Sequence, residues 1–102
     1  MKKNSTLRDF QKYVAAMVRE RGFNKESTPQ RFMMLMEECG EMAKAARKAA
    51  RIKSDKHSEQ FHVGHEAADV FIYILDICNH FGIDMEQAFR GKEEINKKRV
   101  WE

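Results

Sequence analysis

Apolar residues recur along this chain at helical spacing. Leu7, Phe10, Val14, Met17 and Val18 return every three or four positions, the period of a helix with one buried face. They predict a helix from about Leu7 to Arg21. Thr6 is placed to cap it, Asp9 to complete a capping box and Gly22 to stop it. Thr28-Pro29 announces a second helix, with Thr28 as cap and Pro29 in the first helical position, reaching about Arg51. Its first half, Phe32-Met33-Met34-Leu35-Met36, is apolar on every side and is expected to be deeply packed. Its second half is Ala, Lys and Arg, all strong helix formers. The polar stretch Lys53 to Ser58 reads as a loop. A third helix is expected from about Glu59 to Phe81, with Gly82 as its stop. Between Ala67 and Cys78 only Asp69, Tyr73 and Asp76 break its apolar run. A fourth helix starts at Asp84, with Gln87 three residues on as a capping-box partner, and runs into Ile95, Val100 and Trp101.

Four helices and no strand pattern make an all-α protein, a four-helix bundle filling one domain over residues 1–102. One proline and five glycines are too few for a turn-rich β-sandwich. A domain of this size can hardly surround a helix as apolar as the third, so part of it is expected to face another subunit, in a homodimer or homotetramer. No apolar run approaches the roughly 20 residues of a membrane span. The start, MKKNSTLRDF, is basic but lacks the apolar segment of a signal peptide, so a cytoplasmic location is expected. Cys39 and Cys78 sit within apolar helical patterns and read as small hydrophobes. With 19 basic and 16 acidic residues the net charge is only +3, which does not call for nucleic acid.

The charges that stand out are acidic. Glu38 and Glu41 are three positions apart, on one helix face and about 4.5 Å apart along the axis. Glu66 and Asp69 repeat that geometry on the third helix. Each pair taken singly has a plain alternative, a surface carboxylate paired with a nearby Lys or Arg. Both pairs, however, interrupt strongly apolar helices, and unpaired carboxylates are costly to bury. If the four converge, a cation between them removes their repulsion. An all-oxygen set suits Mg²⁺, or Mn²⁺, rather than Zn²⁺. Gly40 and Gly64, beside the carboxylates, are expected where helices approach closely.

Glu37-Glu38-Cys39-Gly40-Glu41 followed by Glu66-Ala67-Ala68-Asp69 resembles the EExxE…ExxD signature of the MazG-like, all-α nucleoside triphosphate pyrophosphohydrolases. Thr28-Pro29 leading into the acidic motif resembles the second helix of the dCTP-pyrophosphatase-like branch. Asp69-Val-Phe-Ile-Tyr-Ile-Leu and Gly82-Ile-Asp-Met-Glu-Gln-Ala-Phe resemble the third helix and the turn that follows it. Lys92, Asn96, Arg99 and Trp101 resemble the C-terminal tail. The likeness runs from about Phe10 to the end. It implies a MazG-like bundle that converts NTP and water to NMP and PPi, with Mg²⁺ held by Glu38, Glu41, Glu66 and Asp69.

Within that reading Glu37 or Glu38 is the candidate to orient or deprotonate the attacking water. Lys92, Asn96 and Arg99, at i, i+4 and i+7, are expected on one face of the fourth helix as donors to phosphate oxygens. Lys44, just beyond Glu41, is a further phosphate ligand, although the run Lys44, Arg47, Lys48, Arg51, Lys53, Lys56 also reads as a solvated face. Phe10, Tyr13, Phe23, Tyr73 and Trp101 are the aromatic candidates for stacking on a base. Asn24-Lys25-Glu26-Ser27 departs from the aromatic and His residues of the dCTP-specific branch, which leaves the base open. His62 shares a face with Glu66 and Asp69. Competing readings are a phosphoribosyl-ATP pyrophosphohydrolase-like enzyme, a di-iron carboxylate bundle, and a non-enzymatic helical module binding protein or nucleic acid through its basic face. The di-iron reading lacks the Glu-x-x-His pairs that such bundles use.

Overall fold

The computed structural model describes residues 1–50 and 62–100. These form four α-helices and no strand: α1 (Leu7–Glu20), α2 (Thr28–Ala49), α3 (Val63–His80) and α4 (Met85–Lys97). The all-α expectation holds. The expected loop at Lys53–Ser58, the start of the third helix at Glu59, His57, the basic residues Arg51, Lys53 and Lys56, and Trp101 lie outside the described residues. His62 precedes α3 in non-helical conformation, and its carbonyl accepts from Glu66 N at 3.0 Å.

Local chemistry sets the helix ends. Thr6 accepts from Asp9 N while the Asp9 carboxylate accepts from Thr6 N at 2.9 Å, closing the capping box of α1. These bonds hold the Asp9 carboxyl below its ordinary value. The cap of α2 differs from expectation by one residue. Ser27, not Thr28, is the N-cap, because Gln30 then stands at the reciprocal position and donates its backbone N–H to Ser27 Oγ at 3.3 Å. Gln30 Oε1 accepts from Ser27 N at 2.7 Å. Pro29 stays in the first turn, where a missing N–H costs nothing. Gly22 and Gly82 have φ of 82° and 67°, the left-handed conformation that glycine adopts without strain. Each follows a helix closed by a paired six-to-one and five-to-two bond, Phe23 N to Val18 O (2.9 Å) and Ile83 N to Cys78 O (2.8 Å) being the six-to-one bonds.

The chain divides into two compact units: Met1–Asn24 together with the chain from Leu75 onward, and Lys25–Ile74. In the first, α1 packs on α4. Val14, Met17, Val18, Leu75 and Cys78 are its buried apolar residues. Burial pushes the Cys78 thiol above its usual value, which fits a packed rather than a reactive cysteine. Gln11 is buried with them and ties three segments together. Its Nε2 donates to Asn79 Oδ1 (3.1 Å) and Ile83 O (2.9 Å), and its Oε1 accepts from Met85 N (2.8 Å). Asn79 Nδ2 returns a bond to Gln11 O at 2.9 Å. Asp84 caps α4 through Gln87 N at 2.9 Å and also accepts from Arg8 Nη2 at 3.0 Å. Both interactions, the backbone bond first, hold its carboxyl below the ordinary range.

In the second unit α2 is helical as expected, but its first half is not deeply packed. Met33 and Met36 are 72% and 66% exposed and Phe32 is 44% exposed, whereas Arg31 and Ala45 are buried. The other helix in this unit, the start of α3, leaves that side of α2 uncovered. The expected end of α4 also changes. The helix stops at Lys97, where Lys98 N donates to Ile95 O and Arg99 N to Asn96 O in tightened i→i+3 bonds. Arg99 and Val100 therefore lie beyond the helix. Among the described residues no helix is long and apolar enough to cross a membrane.

Candidate metal centre

The acidic residues of the second unit sit on helices with helical phase decided by their apolar neighbours. On α2, Glu38 shares its side with the buried Arg31 and Ala45, which are seven residues away in either direction. On α3, Glu66 and Asp69 are one turn apart near the N-terminal end. Glu38, Glu66 and Asp69 each bring a carboxylate oxygen within 4.8 Å of the other two. Glu38 and Glu66 are half-buried, and Asp69 is exposed.

Burial pushes the Glu38 carboxyl above its ordinary value. The charges of Asp69 and Glu66, then those of Glu37 and Glu41, push it further in the same direction. The cluster is thus a concentration of mutually repelling oxygens. A cation bound by oxygens at about 2.0–2.6 Å has opposite ligands about twice that distance apart, so the three carboxylates span the coordination shell of Mg²⁺, Mn²⁺ or Ca²⁺ with little adjustment. The donor set contains neither sulfur nor imidazole, which fits a hard ion.

The remaining candidates fall in different places. Glu41 is exposed, one turn along α2 from Glu38 and outside the three-oxygen cluster, although its charge still acts on Glu38. Glu37 is exposed about 100° around the helix from Glu38. Lys44 is exposed further along α2. Lys92 and Asn96 share a face of α4, exposed and half-buried respectively, and Arg99 stands just past the helix end rather than on it. His62 is exposed, and its ring packs on that of His65 with centroids 4.6 Å apart. Tyr13 and Phe23 are each 49% exposed, and Phe10 and Tyr73 are half-buried. Gly40 and Gly64 do not mark close approaches within the chain, since a Cβ added at either meets nothing within 4 Å. Both face solvent.

No protein-family model matches the chain. Over 67 residues it is 36% identical to a protein named dATP/dGTP diphosphohydrolase from Cyanophage S-2L. The match covers 66% of this chain and 51% of the relative, so the shared part is about half of that protein's length.

The repulsion at Glu38 has a measurable consequence. Its folded-state pKa lies above the unfolded value, so protonation favours folding. The metal-free protein should gain stability as pH falls from neutral through that raised pKa toward the ordinary 4.5. Glu38→Gln should therefore raise the metal-free melting temperature at pH 7, a gain that shrinks as the pH is lowered. Adding Mg²⁺ should raise the wild-type midpoint and leave that of the variant in place. Differential scanning fluorimetry with EDTA and with Mg²⁺ reads both, and an unchanged metal-free midpoint would show that the repulsion is relieved some other way.

Proposed function

We propose that the chain is a Mg²⁺-dependent nucleoside triphosphate pyrophosphohydrolase of the MazG-like kind, converting a (d)NTP and water to (d)NMP and PPi. The observation that carries this reading is the convergence of Glu38, Glu66 and Asp69 from two helices. The likeness to a dATP/dGTP diphosphohydrolase supports the substrate class. In this reading Glu38, Glu66 and Asp69 hold the ion, with Glu41 joining from the next turn. When bound, the ion offsets the charge of the triphosphate and acidifies a neighbouring water.

The chain's own groups do the rest. Glu38 accepts the proton of the attacking water, or Glu37 does so from beside it. Lys44, on the same helix as Glu38, donates to phosphate oxygens. The role is removal of unwanted nucleotides from the cytoplasmic pool by a homo-oligomeric enzyme. A panel of normal and modified NTPs and dNTPs, headed by dATP and dGTP and assayed with Mg²⁺, tests the proposal. PPi release from at least one of them is expected. Release of Pi in its place, or no hydrolysis of any, would sink it.

A further inference from the structure

Helix α3 opens with a pair of imidazoles that the carboxylate centre does not use. His62 is the last residue before the helix, and its carbonyl accepts the first helical bond, from Glu66 N at 3.0 Å. His65 lies one turn on. Both side chains are exposed, yet their rings lie against each other, with centroids 4.6 Å apart and planes tilted by 35°. Among the described residues neither ring has a hydrogen bond or an ion pair, so the ring nitrogens stand available to a ligand.

Spacing places a third donor beside them. His62, His65 and Glu66 stand at i, i+3 and i+4, positions that share one helix face. Two imidazole nitrogens and one carboxylate oxygen can take three corners of a metal's coordination shell and leave the rest to water. Two ligand nitrogens, each about 2.0–2.1 Å from a tetrahedral ion, are about 3.3 Å apart. Rings with centroids 4.6 Å apart reach that separation by small rotations, because each nitrogen sits at the edge of its ring.

We propose that His62, His65 and Glu66 form a second metal site, for a borderline transition metal such as Zn²⁺, beside the hard-ion centre. Ligand softness separates the two. Imidazole suits Zn²⁺, Ni²⁺ and Cu²⁺, whereas an all-oxygen set suits Mg²⁺. Glu66 belongs to both sites. In the metal-free chain its carboxylate meets those of Glu38 and Asp69 within 4.8 Å, and a side-chain rotation turns it to the imidazoles. The acidic cluster also draws cations to this end of α3. The positive end of the helix dipole works against a cation there, but three carboxylates outweigh that partial charge. The site needs no nucleotide and stands whether or not the chain is a hydrolase.

Isothermal titration of the metal-free full chain with Zn²⁺ tests this. Wild type is expected to take up Zn²⁺ at this site. His62→Gln and His65→Gln should each weaken uptake by about tenfold or more, since losing a ligand costs at least as much as losing a residue behind one. Both positions are exposed, so the helical circular dichroism spectrum should not change. Glu66→Gln should weaken uptake likewise. Glu38→Gln, which disables only the hard-ion centre, should leave it in place. In imidazole proton NMR, His62 and His65 should shift together as Zn²⁺ is added, while His80 stays where it is. No Zn²⁺ uptake by wild type, uptake indifferent to both His variants, or uptake lost in Glu38→Gln would overturn the proposal.

Discussion

Glu38→Gln and Asp69→Asn are each expected to lower the rate of PPi release by at least about a hundredfold while leaving the helical spectrum intact. Both exchanges keep the size of the side chain and remove a charged oxygen. Glu38, Glu66 and Asp69 meet within 4.8 Å, so losing one carboxylate removes one of the three charges that meet there. The two variants should differ in detail. Asp69 is exposed, so Asp69→Asn should act mainly through metal affinity and recover in part at high Mg²⁺. Glu38 is half-buried and is also proposed as the base, so Glu38→Gln should stay inactive at any Mg²⁺ concentration. A Mg²⁺ titration of initial rates separates the two. Wild-type rates from both variants would remove the carboxylates from the reaction.

The largest expected loss of stability lies elsewhere. Gln11→Ala should cost about 2–4 kcal/mol in urea denaturation. The side chain is 7% exposed and serves Asn79 Oδ1, the Ile83 carbonyl and the Met85 N–H at once. Truncation leaves those groups without a partner in a site too enclosed to hydrate freely, and it opens a small void. Gln11→Glu should be nearly as damaging, because a carboxylate cannot donate to Asn79 or to the Ile83 carbonyl. Since Asn79, Ile83 and Met85 frame the α3–α4 turn, amide exchange there should speed up first. A cost below about 0.5 kcal/mol would show that water replaces the amide.

Gln11 was legible only in part from its position. It falls on the apolar face of α1, four residues after Leu7 and three before Val14, where a polar residue signals a buried partner without naming it. The acidic constellation was more legible, since the spacing marks Glu38 and the Glu66–Asp69 pair, although it does not separate Glu41 from them.

The sequence by itself determined what depends on residues within one helical turn. The capping box at Thr6–Asp9, the cap at Asp84 and the stops at Gly22 and Gly82 are of this kind, because their bonds close over three to five residues. The one-residue shift of the second cap to Ser27 shows the grain of such readings, with Gln30 rather than Thr28 deciding it. Tertiary structure alone decided how the helices register. It placed Glu38 against Glu66 and Asp69 and left Glu41 outside their cluster. It turned Met33 and Met36 toward solvent in a segment apolar on every side. Periodicity states which residues share a face. What that face meets depends on contacts between segments far apart in the chain, and a segment apolar all round carries no signal to choose among its faces.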